Sequence, residues 1–421
     1  MRNILFIHSS AGVGGIETFF MRFSKDLLAN NIKAKFLFLY KSLTNENIER
    51  ELKSVADVYY WDDICSRPLF KSDKLNLLLP INRKKIKHFF SSIECIHVDT
   101  ALTCLCAKRI ISCIKNPLKI VFGVYHINEL SWNFNGKIPF YEYVFRKKIF
   151  KEKLLIIFFN EASSTFTKEK NNVSELNEML FPIGIDVPIK KKIAEPRESG
   201  DLIKLLSIGR LVEFKKYNRY MIDLVKKLID SNINVVYDVY GDGPLKDELI
   251  EAANEKQLSS FIQYKGSIDY SDIDKTLVEY DLFIGSGTSL LQAAANGVSS
   301  IIAIENESLP VTYGFFSSIP GIDYHEQRLP YPKIDIAQLI LDFNSMPKAE
   351  RKLLSIAHLK KVEAFGMPEC TKNFRIAFNK APSIDGDVVA FYIYLFGFLI
   401  SETIGLCFNR PRYSQKYDQL I

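Results

Sequence analysis

A chain of 421 residues is long for one hydrophobic core, and with 47% hydrophobic and 25% charged residues it reads as folded, not disordered. Seven scattered cysteines without a CxxC pair exclude a disulfide framework and a zinc ribbon and fit a reducing compartment, and no internal repeat points to a solenoid. The net charge of +6 is uneven, with 31 Lys+Arg against 21 Asp+Glu in residues 1–200, so the first half suits an anionic partner.

In chain order, Asn3–His8 is a short apolar run that predicts a strand, and its four apolar residues, Ile4 to Ile7, are too few for a signal peptide. A cytoplasmic protein is expected. The run opens into Gly12-Val13-Gly14-Gly15-Ile16-Glu17 and then a helical pattern through Leu28. Ala34–Tyr40, Cys95–Val98, Ile120–Tyr125 and Leu154–Phe159 predict further strands, apolar throughout like parallel strands covered on both faces. Between them, Asn82–Phe90 mixes Arg83, Lys84, Lys85 and Lys87 with Phe89 and Phe90, a pattern that suits either a membrane interface or a solvated basic helix face. No nucleic-acid module accompanies it, and no nucleic-acid partner is expected.

Val187–Gly200, with Pro188, Pro196 and three successive lysines, predicts a linker. The second half repeats the pattern, with strands at Ile203–Ile208, Ile233–Tyr240, Phe261–Tyr264, Asp281–Gly285 and Ser299–Ile304. Helical patterns at Lys216–Ser231, Pro244–Gln257, Ile273–Glu279 and Ser289–Asn296 separate them. The alternation predicts an α/β protein of two Rossmann-like domains facing a central cleft, with ligands bound beyond the carboxyl ends of the strands. The expected layout is a first domain at 1–187, a linker at 188–200 and a second domain at 201–355. A helix at 356–380 packs back toward the first domain, and 381–421 is an apolar tail. In that tail Val388–Ile400 is free of charge but shorter than the roughly 18–20 residues of a membrane span, and Glu402 interrupts any extension. An interfacial or re-entrant segment is expected there ahead of a packed core element or a span.

The segments with chemical content sit at strand ends. In Gly12–Glu17 a dinucleotide fingerprint needs a third glycine where Glu17 stands, which leaves a turn that lets a ligand approach the backbone at a helix start. Ser207–Lys216 delivers Arg210 and Lys215 from the first strand of the second domain, two cations suited to a diphosphate that gains charge as it leaves. Tyr240-Gly241-Asp242-Gly243-Pro244 and Tyr264-Lys265-Gly266-Ser267 repeat the strand-then-glycine device. Gly285-Ser286-Gly287-Thr288-Ser289 leads into a small-residue helix whose first amides suit phosphate oxygens, with Gln292 one turn in to reach a ribose hydroxyl.

The order and spacing of these segments resemble the family 4 retaining glycosyltransferases of the GT-B fold, over about residues 1–380. The resemblance implies a nucleotide diphosphate sugar donor, with Gly14, Gly15, Gly209, Gly241, Gly266, Ser286, Gly287, Thr288, Ser289 and Gln292 around it. Arg210 and Lys215 would hold the diphosphate, and His126, in Gly123-Val124-Tyr125-His126, would lie near the transferred sugar. His8 and Glu129 rank second; His88, His97, His325 and His358 read as structural or surface groups. Phe181–Asp186 looks like the crossing into the second domain, which would bind the nucleotide sugar while the first takes the acceptor.

The family carries two glutamates eight positions apart at its donor helix; here the second is Gln292 and the first aligns with Ile284, Gly285 or Ser286. No carboxylate is then expected for the sugar hydroxyls. No Asp-x-Asp ends a strand in the motifs, so neither metal nor cofactor is expected. The implied setting is bacterial surface polysaccharide synthesis on a lipid-linked or glycan acceptor, peripheral to the inner face of an anionic cell membrane. The alternatives are a nucleotide-sugar epimerase of the same architecture and a catalytically weak member of a polysaccharide-assembly complex.

Overall fold

The computed structural model describes residues 3–12, 14–67, 69–133, 136–188 and 202–408, so the expected linker, Pro188 apart, and the end of the tail lie outside the described residues. Two compact units emerge, one built from the chain up to Gly184 and again from Met367, the other from Ile185 to Gly366.

The first unit opens with β1 (Asn3–His8), α1 (Gly15–Ala29), β2 (Lys33–Phe38), α2 (Glu46–Lys53), β3 (Asp57–Tyr60), α3 (Trp61–Ile64) and α4 (Asp73–Asn76). It continues through α5 (Arg83–Phe90), β4 (Cys95–Val98), α6 (Ala101–Ile114), β5 (Leu118–Val124), α7 (Phe140–Lys151), β6 (Leu155–Phe158), α8 (Glu161–Asn171) and β7 (Glu178–Leu180). These strands form a parallel sheet in the order β3-β2-β1-β4-β5-β6-β7.

Successive strand side chains point to opposite faces, so β1 feeds two cores. Leu5 and Ile7 join one with Trp61, Phe90, Leu105 and Phe145; Ile4 and Phe6 join the other with Phe19, Phe23 and Phe36. Helix starts are fixed locally. Asn82 accepts from the amides of Lys84 and Lys85 to cap α5, and Thr100 accepts from that of Thr103 to cap α6.

The second unit holds β8 (Ile203–Ile208), α9 (Tyr217–Asp230), β9 (Val235–Tyr240), α10 (Lys246–Glu255), β10 (Ile262–Gly266), α11 (Tyr270–Leu277), β11 (Leu282–Gly285), α12 (Thr288–Ala295) and β12 (Ser299–Ile302). The short pair β13 (Val311–Thr312) and β14 (Ile334–Asp335) follows, with α13 (Ile336–Ser345) and α14 (Lys348–Val362). Its five-stranded sheet is parallel in the order β10-β9-β8-β11-β12. In both sheets the chain winds outward from its first strand, then returns to that strand's other side. The switch points therefore fall between β1 and β4 and between β8 and β11, where doubly wound sheets open a crevice.

The chain rejoins the first unit as α15 (Met367–Lys380), β15 (Ser383–Ile384) and α16 (Val388–Phe408). Here the structure differs from the sequence expectation in one respect. The helical pattern Lys348–Phe378 is two helices, because Pro368 has no amide to continue the ladder and sits instead in the first turn of α15. In the apolar tail, β15 pairs antiparallel with the start of β5, and α16 runs 21 residues across α6 and α7. Glu402 lies within it, and its carboxylate faces inward and meets Lys74 at 2.9 Å.

Candidate functional site

In the second unit the carboxyl ends of β8, β9 and β10 lie side by side and continue to pair past the strands. Gly209 N–H donates to the Tyr240 carbonyl at 2.9 Å, and Gly241 N–H to the Gly266 carbonyl at 2.8 Å. A Cβ on Gly241 would stand 1.9 Å from the Gly209 carbonyl oxygen, so only glycine permits this approach. Behind them a buried hydroxyl relay ties three strands together: Tyr237 donates to Ser207 at 2.7 Å, and Ser207 to the Ile284 carbonyl at 2.6 Å.

Lys215 curls back over this edge until Nζ lies 2.7 Å from where a Gly209 Cβ would be. Burial pushes its pKa below the usual lysine value, Glu305 opposes that shift, and the charge of Arg210 adds to it. Arg210 itself is exposed. At the β11 end, Gly287 has φ +69°, a conformation that suits glycine, and directly precedes α12. Ser289 Oγ donates to the Ser286 carbonyl at 3.2 Å, which closes the turn.

A carboxylate absent from the sequence reading joins these two loops. Glu305, just past β12, accepts from Ser286 Oγ at 3.0 Å and lies 3.8 Å from His325 Nε2. The Asn306 amide donates to the Phe214 carbonyl at 2.8 Å, and the Ala303 amide to that of Gly285 at 2.9 Å, which pins the Glu305 segment between both loops. Glu305 is thus a carboxylate between these two loops that the sequence reading did not name. A signal existed, since Glu305 follows a strand of a parallel sheet at the end where ligands bind.

The structure therefore brings together Gly209, Gly241, Gly266, Lys215, Ser286 and Gly287, with Thr288 and Ser289 opening α12. Gln292 is buried in the helix, and its amide donates to Asp274 of α11 at 2.8 Å.

The first unit carries its own cluster at the β1–β4 switch point. Gly14 starts α1, and Glu17 folds back so closely that a Gly14 Cβ would lie 2.5 Å from its Oε2. His8 stands between Asp99 on Nδ1 and Glu17, 3.4 Å from Nε2. Burial works against its charge, but Asp99 and then Glu17 prevail and its pKa is pushed up to about 10. His97, on β4 and bonded to the Tyr125 hydroxyl at 2.9 Å, is driven down to about 4 by burial. His126 follows β5, and its Nδ1 accepts from the Asn128 amide at 3.2 Å, leaving the proton on Nε2. Gly14, Gly15, His8 and His126 thus belong to the first unit, the diphosphate candidates to the second.

Residues 188–311 match the model for Glycosyl transferases group 1. This stretch is a group 1 glycosyltransferase domain. Two curated relatives align with the chain beyond that domain. One is a component of the phosphatidylinositol N-acetylglucosaminyltransferase of Arabidopsis thaliana, 22% identical over 299 residues. The alignment covers 68% of this chain and 64% of that relative, less than two thirds of its length. EpsF of Bacillus subtilis is 23% identical over 320 residues, or 72% and 79%. Among solved structures, TarM of S. aureus, crystallised with UDP among its ligands, superposes with a TM-score of 0.63 at 12% identity, covering 90% of this chain and all of TarM. At that identity the likeness is one of fold. The glycosyltransferase domain thus sits in a GT-B architecture, and Arg210, Lys215, Gly241 and the Gly285–Ser289 turn all lie inside it.

Proposed function

We propose that the protein transfers a sugar from a nucleotide diphosphate donor to a lipid-linked or glycan acceptor, with retention at the anomeric carbon. The observation that carries this reading is the meeting of Lys215, Glu305, Ser286 and the Gly287 turn at the carboxyl edge of one parallel sheet. Two cations and helix-start amides suit a pyrophosphate whose charge grows as the glycosidic bond to it breaks. The acceptor oxygen attacks the anomeric carbon on the face the phosphate leaves, and a leaving phosphate oxygen takes the acceptor proton. Glu305 supplies the acceptor oxygens for sugar hydroxyls that the missing glutamate pair leaves wanting.

The setting we infer is cytoplasmic and membrane-peripheral, in bacterial surface polysaccharide synthesis. EpsF and a relative with phosphatidylinositol in its name support it. The test is a panel of nucleotide sugars offered with glycan and polyprenyl-linked acceptors, with products resolved by mass. Arg210→Ala/Lys215→Ala is expected to slow transfer by at least about a hundredfold and weaken nucleoside diphosphate binding. Glu305→Gln is expected to lower transfer while leaving diphosphate binding near the parent value. Rates within twofold of the parent in both variants would sink the assignment, and an isomerised donor without transfer would replace it with an epimerase.

A further inference from the structure

The helix α16 has two apolar faces, and the fold covers only one. Inward, Phe391, Tyr394, Leu395 and Phe398 are buried in the core shared with α6 and α7. Outward, Val389, Ile393, Phe396, Ile400 and Ile404 recur every three or four residues, with Val389 69%, Phe396 53% and Ile400 58% exposed. From Val389 to Ile404 the stripe runs about 23 Å along the 21-residue helix. The one charged residue between Val388 and Phe408 is Glu402, and it points inward to Lys74. An apolar strip of that length, free of charge, is more than the scattered exposure of an ordinary surface.

The surroundings of the stripe say what covers it. The helix α7 runs antiparallel to α16, with Lys148 paired to Asp387 at one end and Tyr141 against Gly397 and Tyr394 toward the other. This sets Phe140, 74% exposed, beside the later turns of α16. One turn on, Tyr143 is exposed beneath Lys147, 4.6 Å above its ring, and Lys151 ends the same helix. The basic helix α5, with Arg83, Lys84 and Lys87 exposed, contributes to the same core cluster and so lies on the same side of the first sheet.

Apolar and aromatic side chains flanked by cations match the boundary between acyl chains and anionic headgroups. A second copy fits less well, because a two-fold contact sets a patch against itself and would bring the cationic flanks together. A membrane span fits worse. Arg109 donates to the carbonyls of Leu77 and Leu79 while bonding Tyr392, and Tyr394 bonds Glu142 at 2.5 Å, so lipid on all sides of α16 would strip buried polar groups of their partners.

We propose that α16 is a monotopic docking helix. It lies in the plane of an anionic bilayer with the Val389–Ile404 stripe and Phe140 among the acyl chains and the lysines of α5 and α7 on the phosphates. This deepens the membrane-associated reading above, but its test needs neither donor nor acceptor, so failure of either proposal leaves the other standing.

The full chain is mixed with vesicles of phosphatidylcholine, with or without about one third phosphatidylglycerol, and sedimented at low and high salt. Binding is expected to favour the anionic vesicles, to weaken with salt, and to be released by an alkaline carbonate wash. Phe396→Glu/Ile400→Glu is expected to weaken it at least about tenfold on both vesicle types. Lys147→Glu/Lys151→Glu, on an exposed face that folding does not use, is expected to cost several-fold on anionic vesicles only. Unchanged binding by either variant with parental Tm overturns the proposal. So does resistance to carbonate, which marks a span, or a dimer that the glutamate variant dissolves in the absence of any vesicle binding.

Discussion

Lys215 and Glu305 reach the same place from different loops, one after β8 and one after β12, and each changes what the other can do. The carboxylate opposes the loss of the lysine charge that burial favours, and Ser286 fixes one of its oxygens at 3.0 Å. The lysine was legible because its segment has a recognisable spacing from a strand end; Glu305 also follows a strand end, but its partner Ser286 became visible only when β12 was seen beside β11. His8 and His97 show a second residue-scale effect, with a sign for each. His8, at about 10 against an ordinary 6.5, contributes stability that is complete below pH 6.5 and is lost as pH rises toward 10. His97, at about 4, resists protonation in the folded state, so stability falls as pH drops from 6.5 toward 4. In urea titrations across pH, the parent is expected to lose its advantage over His8→Asn by about 1.4 kcal/mol per pH unit above 6.5. A flat difference between pH 7 and 9 would show that His8 does not hold its proton.

At the scale of elements, the buried cation Arg109 ties α16 to the rest of the first unit. The Arg109 guanidinium donates to Leu77 and Leu79 at 2.7 and 2.6 Å and to the Tyr392 hydroxyl at 3.0 Å, and lies 4.6 Å from the Phe391 ring centre. Arg109→Ala leaves two carbonyls without that donor and removes the stacking, at a cost of about 3 kcal/mol. The expected signature is early proteolytic cleavage within or next to α16, before the rest of the first unit is cut; simultaneous digestion would argue that α16 does not open on its own. Sequence patterning marked this segment as apolar and took Glu402 as the limit of a charge-free span; the helix itself runs on to Phe408. Composition cannot tell which face of a helix a lone carboxylate takes, and here the inward face has Lys74 waiting for it.

Across the whole molecule the two units differ in how the chain builds them. The second is one continuous stretch, Ile185–Gly366, whereas the first needs α15, β15 and α16 from the far end of the chain. Phe374 and Phe378 of α15 share a core with Phe19, Phe23 and Phe36, with Phe23 and Phe374 ring centres 4.5 Å apart. A fragment spanning 185–366 is therefore expected to be soluble with a cooperative thermal transition, and a fragment ending at 184 to aggregate through its uncovered aromatic face. Circular dichroism and size-exclusion chromatography of the two fragments check both outcomes.

The alternation of apolar runs and helical patterns was enough to establish an α/β protein with two Rossmann-like halves, because strand and helix periodicities are local properties of the chain. The same local grammar located the glycine turns at Gly209, Gly241 and Gly287, since a turn at a strand end is written in adjacent residues. Strand order, the return of α15 and α16 to the first unit, and the arrival of Glu305 beside Ser286 depended on contacts between distant segments. Those contacts are selected by burial and by the pairing of polar groups in three dimensions, and only the tertiary structure decided them.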